Sequence, residues 1–595
     1  MKKIIVLILA CFMVLAGCTK ADTADEETVR TNSIFDTSYV HEINVEISEE
    51  DWNDLKANPL EKTKYHVNVT IDGETVNDVS FATKGNTSLS SVASDSESDR
   101  YSFKLNFGKF VDGQTFQSLK KLNLNNIYAD ATYMKDYLSY QLFQEAGALS
   151  SRCSYVWLTI NGEDFGLYTA IEEVDQAFLD ANTDSAGALY KPEAEELDNA
   201  GQPGERPQGE GMTPPEFNGG ERPEMPEGMT PPEMNGQERP EGFDPAQGQP
   251  GQMPGGPGNM NPPDMNGQQM PEDFDPSQNQ QIPEMPEGQE NITPPDTSGI
   301  EIPEMPEGID PSEIPQMPEG FDPSQGQGGM PGGGGMFSSG NGSSLVYTDD
   351  ELSSYTDIFD NAETDVTEDD EMRVIAALKN LSEGDVKASV DVENTVKYFA
   401  VHNFVMNYDS YTGNMLHNYY LYEKDSLLTM IPWDYNLAYG AFVMGGMQDA
   451  SSIINWGIDS PLSNTDDSQR PMWSWIMSDQ SYTDQYHAVL DQLLSDYFES
   501  GEFEKEFDRV VEMIRPYVKK DPSAFYTADE FDAAGAMLKQ FCLLRAESVR
   551  KQLDGSLSTV SSQQNTADRV DASGININVM GTHNGGKERP DQPRQ

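Results

Sequence analysis

Between residues 401 and 440 the chain gathers Asn407, Asp409, Asn414, Asn418 and Asp434, carboxylates and carboxamides set in loop-like sequence. A Tyr- and Leu-rich run over 418–422, a Glu423-Lys424-Asp425 turn and an apolar run over 427–431 separate the first four from Pro432-Trp433-Asp434. The order reads loop, strand, turn, strand, loop. A hairpin returns to where it began, so the loop bearing Asp409 and Asn414 should lie beside the loop bearing Asp434. Two carboxylates and one or two amides then converge.

Phosphoryl transfer needs such a set. One carboxylate orients or deprotonates the attacking hydroxyl, while a second carboxylate and an amide oxygen hold magnesium on the phosphates. In protein kinases the catalytic-loop Asp and Asn have the same spacing as Asp409 and Asn414, with a hairpin before the metal-binding Asp. Asp409 is therefore the candidate catalytic carboxylate, Asp434 the principal metal ligand, Asn414 the second ligand and Asn418 its reserve. A glycosidase pair made of Asp409 and Asp434 fits worse. A general acid wants a raised pKa in an apolar pocket, and these loops are crowded with polar side chains.

Charge narrows the partners. Asp and Glu number 101 against 38 Lys and Arg, a net charge of −63, which excludes nucleic acid, whose phosphates reward basic surfaces. Basic proteins and divalent cations remain, beside the plainer reading that acidity only solvates a surface protein. Six scattered His and no Cys-x-x-Cys give no basis for structural zinc.

The elements that must position these residues divide into two groups. Ahead of residue 197 the sequence predicts strands over 41–48, 65–71, 74–80, 101–107, 156–160 and 165–171, with Asp72-Gly73 and Asn161-Gly162 as hairpin turns. Among them, residues 132–145 carry Tyr133, Tyr137, Tyr140, Leu142 and Phe143 at mostly helical spacing, and Gly147 stops that helix. Past residue 344 helices dominate. One spans 396–405, another carries the stripe Phe503, Phe507, Val510, Val511, Ile514 and Val518, and a last one opens on a Thr527/Glu530 capping box and runs to about residue 553.

Residues 197–344 break this pattern with Pro, Gly, Met, Glu, Asp and Gln, and with loose Met-Pro-Glu-Gly repeats at Met225, Met285, Met305 and Met317. Such a stretch cannot bury enough apolar surface to offset its ordering entropy, so it reads as a disordered spacer. At the start, Met1-Lys2-Lys3, an apolar run over 4–15 and Ala16-Gly17-Cys18 form a secretory signal ending in a bacterial lipobox, with Cys18 the acylated residue. The run is too short for a permanent span, and no later segment offers about twenty apolar residues. The expected location is the extracytoplasmic face of a bacterial cell membrane, held by the lipid alone. Of four cysteines only Cys153 and Cys542 then stay in the folded part, where two separate buried thiols are expected.

Several spaced motifs also resemble, in their order, the spore coat protein H (CotH) kinase family. These are Phe81-Ala82-Thr83-Lys84-Gly85-Asn86-Thr87-Ser88, Lys121-Leu122-Asn123-Leu124-Asn125, the segment 156–172 and Pro432-Trp433-Asp434. The resemblance implies an α+β, atypical protein-kinase-like fold, a strand-rich N-lobe and a helical C-lobe, that uses ATP and Mg2+ or Mn2+ to phosphorylate Ser or Thr of proteins. The resemblance covers roughly 34–553 apart from the insertion, and with the readings above it divides the chain into a lipoprotein signal peptide over 1–18, a tether over 19–33, a kinase-like N-lobe over 34–196, the disordered insertion over 197–344, a kinase-like C-lobe over 345–555 and a disordered tail over 556–595. Lys84, Gly85 and Asn86 look like a phosphate-side loop, since a Gly lets backbone N–H groups approach an anion. Lys104 resembles the strand lysine that grips the α/β-phosphates, or else is an edge lysine facing water. Asp136 or Glu145 would be the helix acid that pairs with it, and Glu172 either lies near the nucleotide or is a solvated strand end. Three kinase signatures are missing: a Gly-x-Gly-x-x-Gly loop, His-Arg-Asp, and Asp-Phe-Gly, whose place Trp433-Asp434-Tyr435 takes. The implied partner is a protein with basic, Ser-rich segments. A non-catalytic surface-binding module on the same scaffold is the rival, motivated by the scarcity of ATP outside the cell.

Overall fold

The computed structural model describes residues 33–183, 187–193, 342–442 and 449–581. The signal, Cys18, most of the tether and the body of the 197–344 segment lie outside the described residues. Among the described residues no helix is long and apolar enough to cross a membrane.

The first seven strands are β1 (His41–Glu46), β2 (Tyr65–Ile71), β3 (Glu74–Lys84), β4 (Ser102–Asn106), β5 (Lys121–Asn125), β6 (Cys153–Ile160) and β7 (Glu163–Glu172). They close into a barrel in the order β1-β2-β3-β4-β5-β7-β6. Every pairing is antiparallel except the closing β1–β6 contact, which is parallel with His41 opposite Val156. Alternation drives the closure. In β2, Tyr65, Val67, Val69 and Ile71 point inward while the residues between them stay at least partly exposed, and Phe81, Phe103, Leu105 and Leu122 complete the filling. Asp72-Gly73 and Asn161-Gly162 take positive φ at both positions, 47° and 86°, and 53° and 83°, the turn whose twist matches the flanking strands. The short β5 was visible only as part of a motif, yet it lies between β4 and β7.

Helices α1 (Glu49–Ala57), α2 (Thr87–Ala93), α3 (Lys135–Glu145) and α4 (Gln176–Asn182) punctuate the barrel sequence. Beyond it, β8 (Ala188–Tyr190), β9 (Tyr419–Lys424) and β10 (Leu427–Pro432) make a small sheet in the order β10-β9-β8. Between β8 and β9 lie α5 (Glu368–Ser382) and α6 (Val392–Val405), and after β10 come α7 (Pro471–Ser478), α8 (Gln480–Leu493), α9 (Glu502–Lys520) and α10 (Ala528–Leu553). The Thr527/Glu530 capping box opens α10, and Phe503, Phe507, Val510, Ile514 and Val518 bury one face of α9. The architecture is α+β, rich in strands first and in helices later. Cys153 and Cys542 are separate buried thiols.

Two expected boundaries need correction. Composition extends the insertion to residue 344, but Ser343 and Ser344 are buried, and their carbonyls accept bonds from Tyr419 Oη at 2.6 Å and Tyr411 Oη at 3.1 Å. Composition also predicts a disordered tail from residue 556, but 556–581 packs on the fold and buries Leu557, Val570, Ala572 and Met580. Its apolar residues are too sparse for helical or strand periodicity, so composition alone misread it.

Candidate active site

A cleft of about 950 Å³ lies under the outer face of the barrel and takes in Lys84, Lys104, Asp136, Asp409, Asn418 and Asp434. That volume is in the range of a small-molecule site. Strand period two supplies its roof: Ser80, Ala82 and Lys84 of β3, Ser102, Lys104 and Asn106 of β4, and Lys121 and Asn125 of β5 all line it. Its floor is built by the loops after α6 and β10. Met406, with φ 52°, ends α6. The chain then folds so tightly that a Cβ on Gly413 would sit 2.0 Å from the Tyr408 carbonyl oxygen. In the β9–β10 hairpin Pro432 faces Tyr419, and this register brings Asn418 and Asp434 to the same cleft. Leu416, Asn418 and Asp434 all hold positive φ, 55°, 57° and 56°. Non-glycine residues in this region carry strain, which concentrates at functional sites.

Around Asp409 the contacts are specific. Oδ1 lies 2.9 Å from His417 Nε2. Asn418 Nδ2 donates to the Asp409 carbonyl at 2.8 Å and to Oδ2 at 3.2 Å, which leaves the carboxamide oxygen of Asn418 to serve a cation. Burial alone would lower the His417 pKa, but the Asp409 carboxylate holds it above the usual imidazole value.

A second chain of contacts links the roof to Asp434. Lys84 Nζ donates to Asn125 Oδ1 at 2.6 Å, Asn125 Nδ2 reaches Asp136 Oδ2 at 3.4 Å, and Asp136 Oδ1 accepts from Tyr435 N at 2.9 Å. Burial brings the Lys84 ammonium down to about 8, against the pull of Asp434. Burial, with the nearby Asp434 charge, raises Asp136 to about 7. Asp434 itself is raised, first by burial and then by Asp409, while Lys84 opposes the shift. Asp434 thus feels Lys84, His417 and Lys191 on one side and the Asp409 charge on the other.

The structure corrects three assignments. Asn414 is not among the residues lining the cleft, whereas Asn418 is, because the hairpin register brings position 418 and not position 414 beside Asp434. Glu172 is turned away and forms an ion pair with Arg152 at 2.7 Å. Its neighbour Glu173 instead meets Lys104 at 2.7 Å. Lys104 lies opposite Asn123 and Asn123 opposite Ile171, so the face that carries Lys104 carries residue 173 and not 172. Of the two helix acids, Asp136 serves Lys84 through Asn125 rather than pairing with Lys104. Glu145 lies outside the cleft lining, and burial followed by Glu502 and Glu506 raises its pKa. Gly85, with φ 98°, and Asn86 do line the cleft, and Asn86 Oδ1 accepts from Lys62 Nζ at 2.7 Å.

His417, Glu173, Asn125 and Lys191 were missed as site residues. Adjacency to Asn418 was the available signal for His417, and face parity along β7 was the signal for Glu173. Lys191 could not be placed before β8 was known to pair with β9.

Asp409, Asn418 and Asp434 offer oxygen donors to the cleft, which suits a hard cation. Among the described residues no three of His, Cys, Asp and Glu gather closely enough to form a metal cage. One or two carboxylates and an amide nevertheless fit magnesium, which completes its shell with phosphate oxygens and water.

The chain is 31% identical over 81 residues to the inner spore coat protein H of Bacillus subtilis (strain 168), a match covering 14% of this chain and 22% of that relative. The similarity thus spans about a fifth of the curated relative. The family described as CotH kinase protein matches residues 81–223 and 327–549, well over half of the sequence and including every residue of the two contact chains above. The protein belongs to the CotH kinase family.

Proposed function

We propose that this protein is a metal-dependent protein kinase, transferring the γ-phosphoryl group of ATP to Ser or Thr of exported or surface proteins. One observation carries it: Asp409, Asn418, Asp434 and Lys84 share a single cleft. Asp409, oriented by His417 and Asn418, would receive the proton of the attacking hydroxyl. Asp434 and the Asn418 amide oxygen would hold the divalent cation, Mg2+ or Mn2+, which when bound neutralises charge on the phosphates. Lys84 would pair with the phosphate oxygens above Gly85 and Asn86, fixed by Asn125 and Asp136 as a kinase lysine is fixed by a helix acid. The strand-rich and helical parts would act as the two lobes of an atypical kinase fold. A strongly acidic chain would steer basic, Ser-rich segments towards itself. A lipid on Cys18 would place the enzyme on the extracytoplasmic face of the membrane.

The test is γ-phosphate transfer to a Ser-, Lys- and Arg-rich peptide by the chain lacking residues 1–18, with ATP and Mn2+. Asp434→Ala and Asp409→Ala should each lower kcat by at least about a thousandfold, since positioning and metal supply most of phosphoryl-transfer catalysis. Equal background labelling by wild type and both variants would sink the kinase and leave a binding module.

A further inference from the structure

The segment 556–581 lies beyond the residues matched by the CotH kinase family, which end at 549, yet it ends against the wall of the cleft. From the end of α10 it passes the 453–460 region, where the Thr559 carbonyl accepts from Asp459 N at 3.0 Å and Val570 N donates to Asn455 Oδ1 at 2.9 Å. A Cβ on Gly440, in the loop after Asp434, would meet Ile453 at 2.8 Å and Ile577 at 3.6 Å, so the segment also borders that loop.

Its last residues meet the loop between β5 and α3. The Met580 carbonyl accepts from Ala131 N at 3.2 Å, and the Gly581 carbonyl accepts from Lys135 Nζ at 2.9 Å. Lys135 is fully buried. Its other polar neighbours are the Ala129 carbonyl at 3.4 Å and Asp130 Oδ1 at 3.9 Å. The fit at Gly581 has no slack, because a Cβ there would lie 2.5 Å from the Ala129 oxygen, at φ 82°.

The loop so clasped is strained and functional together. Ile127, Ala129 and Tyr133 hold φ of 62°, 60° and 58°, and Ile127, Tyr128 and Ala129 line the cleft. Non-glycine residues keep such angles only where their surroundings over-determine them. Asp136, next to Lys135, is the group that braces Lys84 through Asn125 and the backbone beside Asp434.

We propose that 556–581 is a strap that holds this loop in its cleft-forming conformation, and that Lys135 and Gly581 are positioning residues for Asp136 and, through it, for Lys84 and Asp434. Without the Gly581 carbonyl a buried ammonium loses its best acceptor, the loop relaxes, and Asp136 shifts. The effect on nucleotide rests on the kinase reading, whereas the effect on the loop does not.

The experiment compares the chain lacking residues 1–18 with its Gly581→Val and Lys135→Met variants and with a form ending at residue 575. Hydrogen exchange over 126–136 is read without nucleotide, and KM for ATP with Mn2+ is read beside it. The expected result is at least tenfold faster exchange in that loop and a fivefold or greater rise in KM, while exchange in α9 is unchanged. KM does not depend on how much of the preparation is folded, so a merely structural role would lower the rate and leave KM alone. Gly581→Val and Lys135→Met keep the test valid should the shortened form not fold. Loop exchange like wild type in both point variants overturns the strap. Faster loop exchange with KM unchanged overturns the positioning role. Faster loop exchange in a protein whose wild type transfers no phosphate upholds the strap and removes the kinase.

Discussion

Lys84 and Lys104 sit on neighbouring strands of the same barrel face, and the cleft treats them differently. Lys104 meets a full carboxylate, Glu173, at 2.7 Å. Although burial would raise Glu173, Lys104 and Lys121 hold it down to about 2. Lys84 donates to a carboxamide at 2.6 Å, lies over the Trp433 ring at 5.5 Å and is brought down to about 8 by burial, above two carboxylates whose pKa values are raised. The Lys104 corner has settled its charges internally. The Lys84 corner has not, and on the proposed function a phosphate chain with its cation would complete it. Internal balance marks scaffold, and imbalance marks the place that waits for a ligand.

Removing each lysine should break the two corners in different ways. Lys84→Met should lower kcat/KM for ATP by about a thousandfold, a loss of about 4 kcal/mol of transition-state stabilisation. Its melting temperature should hold or rise, since a buried cation with a neutral partner costs more than it returns. Lys104→Met should do the reverse, leaving Glu173 buried and short of a partner. The cost is about 1 to 2 kcal/mol of stability, discounted because Lys104 is about one-third exposed and Lys121 lies close by. Steady-state kinetics and calorimetric unfolding on the same two preparations check both halves. Equal kinetic losses for the two lysines would remove the distinction.

The floor offers a smaller contrast of the same kind. On the proposed function, Asn418→Ala should lower kcat by about a hundredfold, or about 2.7 kcal/mol, because it would remove both a cation ligand and a bond that orients Asp409. Asn414→Ala, outside the cleft lining, should stay within about twofold of wild type. Titrating Mn2+ against activity separates the two contributions, since loss of a ligand raises the metal concentration needed for half-maximal rate.

Much of this site was legible in sequence, and the limits have physical causes. Asp409 and Asp434 could be brought together because a hairpin between two loops is a local object whose geometry follows from its turn. The choice between Asn414 and Asn418 also needs the exact start of the hairpin, which the register of Tyr419 with Pro432 and the positive φ at Leu416 and Asn418 set together and no propensity forecasts. Strand existence was legible for β2 and β7, but barrel closure rests on the β1–β6 contact between residues more than a hundred apart. The Glu172 misassignment has a narrower cause. Both neighbours are glutamates, and only the cross-strand register tells which one shares the face of Lys104.

The smallest effect is a difference in the pH dependence of stability between the corners, and its sign follows from the proton balance. Asp136 is raised from 3.8 to about 7 by burial and by Asp434, so between those values the folded chain keeps a proton that the unfolded chain releases. The stabilisation it gives is complete below about pH 4 and is lost as the pH rises through 7. Glu173 is lowered from 4.5 to about 2, so its contribution is present above 4.5 and is lost as the pH falls towards 2. In ligand-free protein between pH 4.5 and 7, Glu173→Gln should melt along a curve parallel to wild type and below it. Asp136→Asn carries no such proton, so wild type should lose its advantage over it as the pH rises, by a few °C in a fold of this size. Scanning calorimetry of the three proteins across that window reads the slopes directly. If Asp136→Asn ran parallel to wild type, the carboxyl at 136 would already be ionised before any nucleotide arrives. The contrast between a settled and an unsettled corner would then fail at its centre.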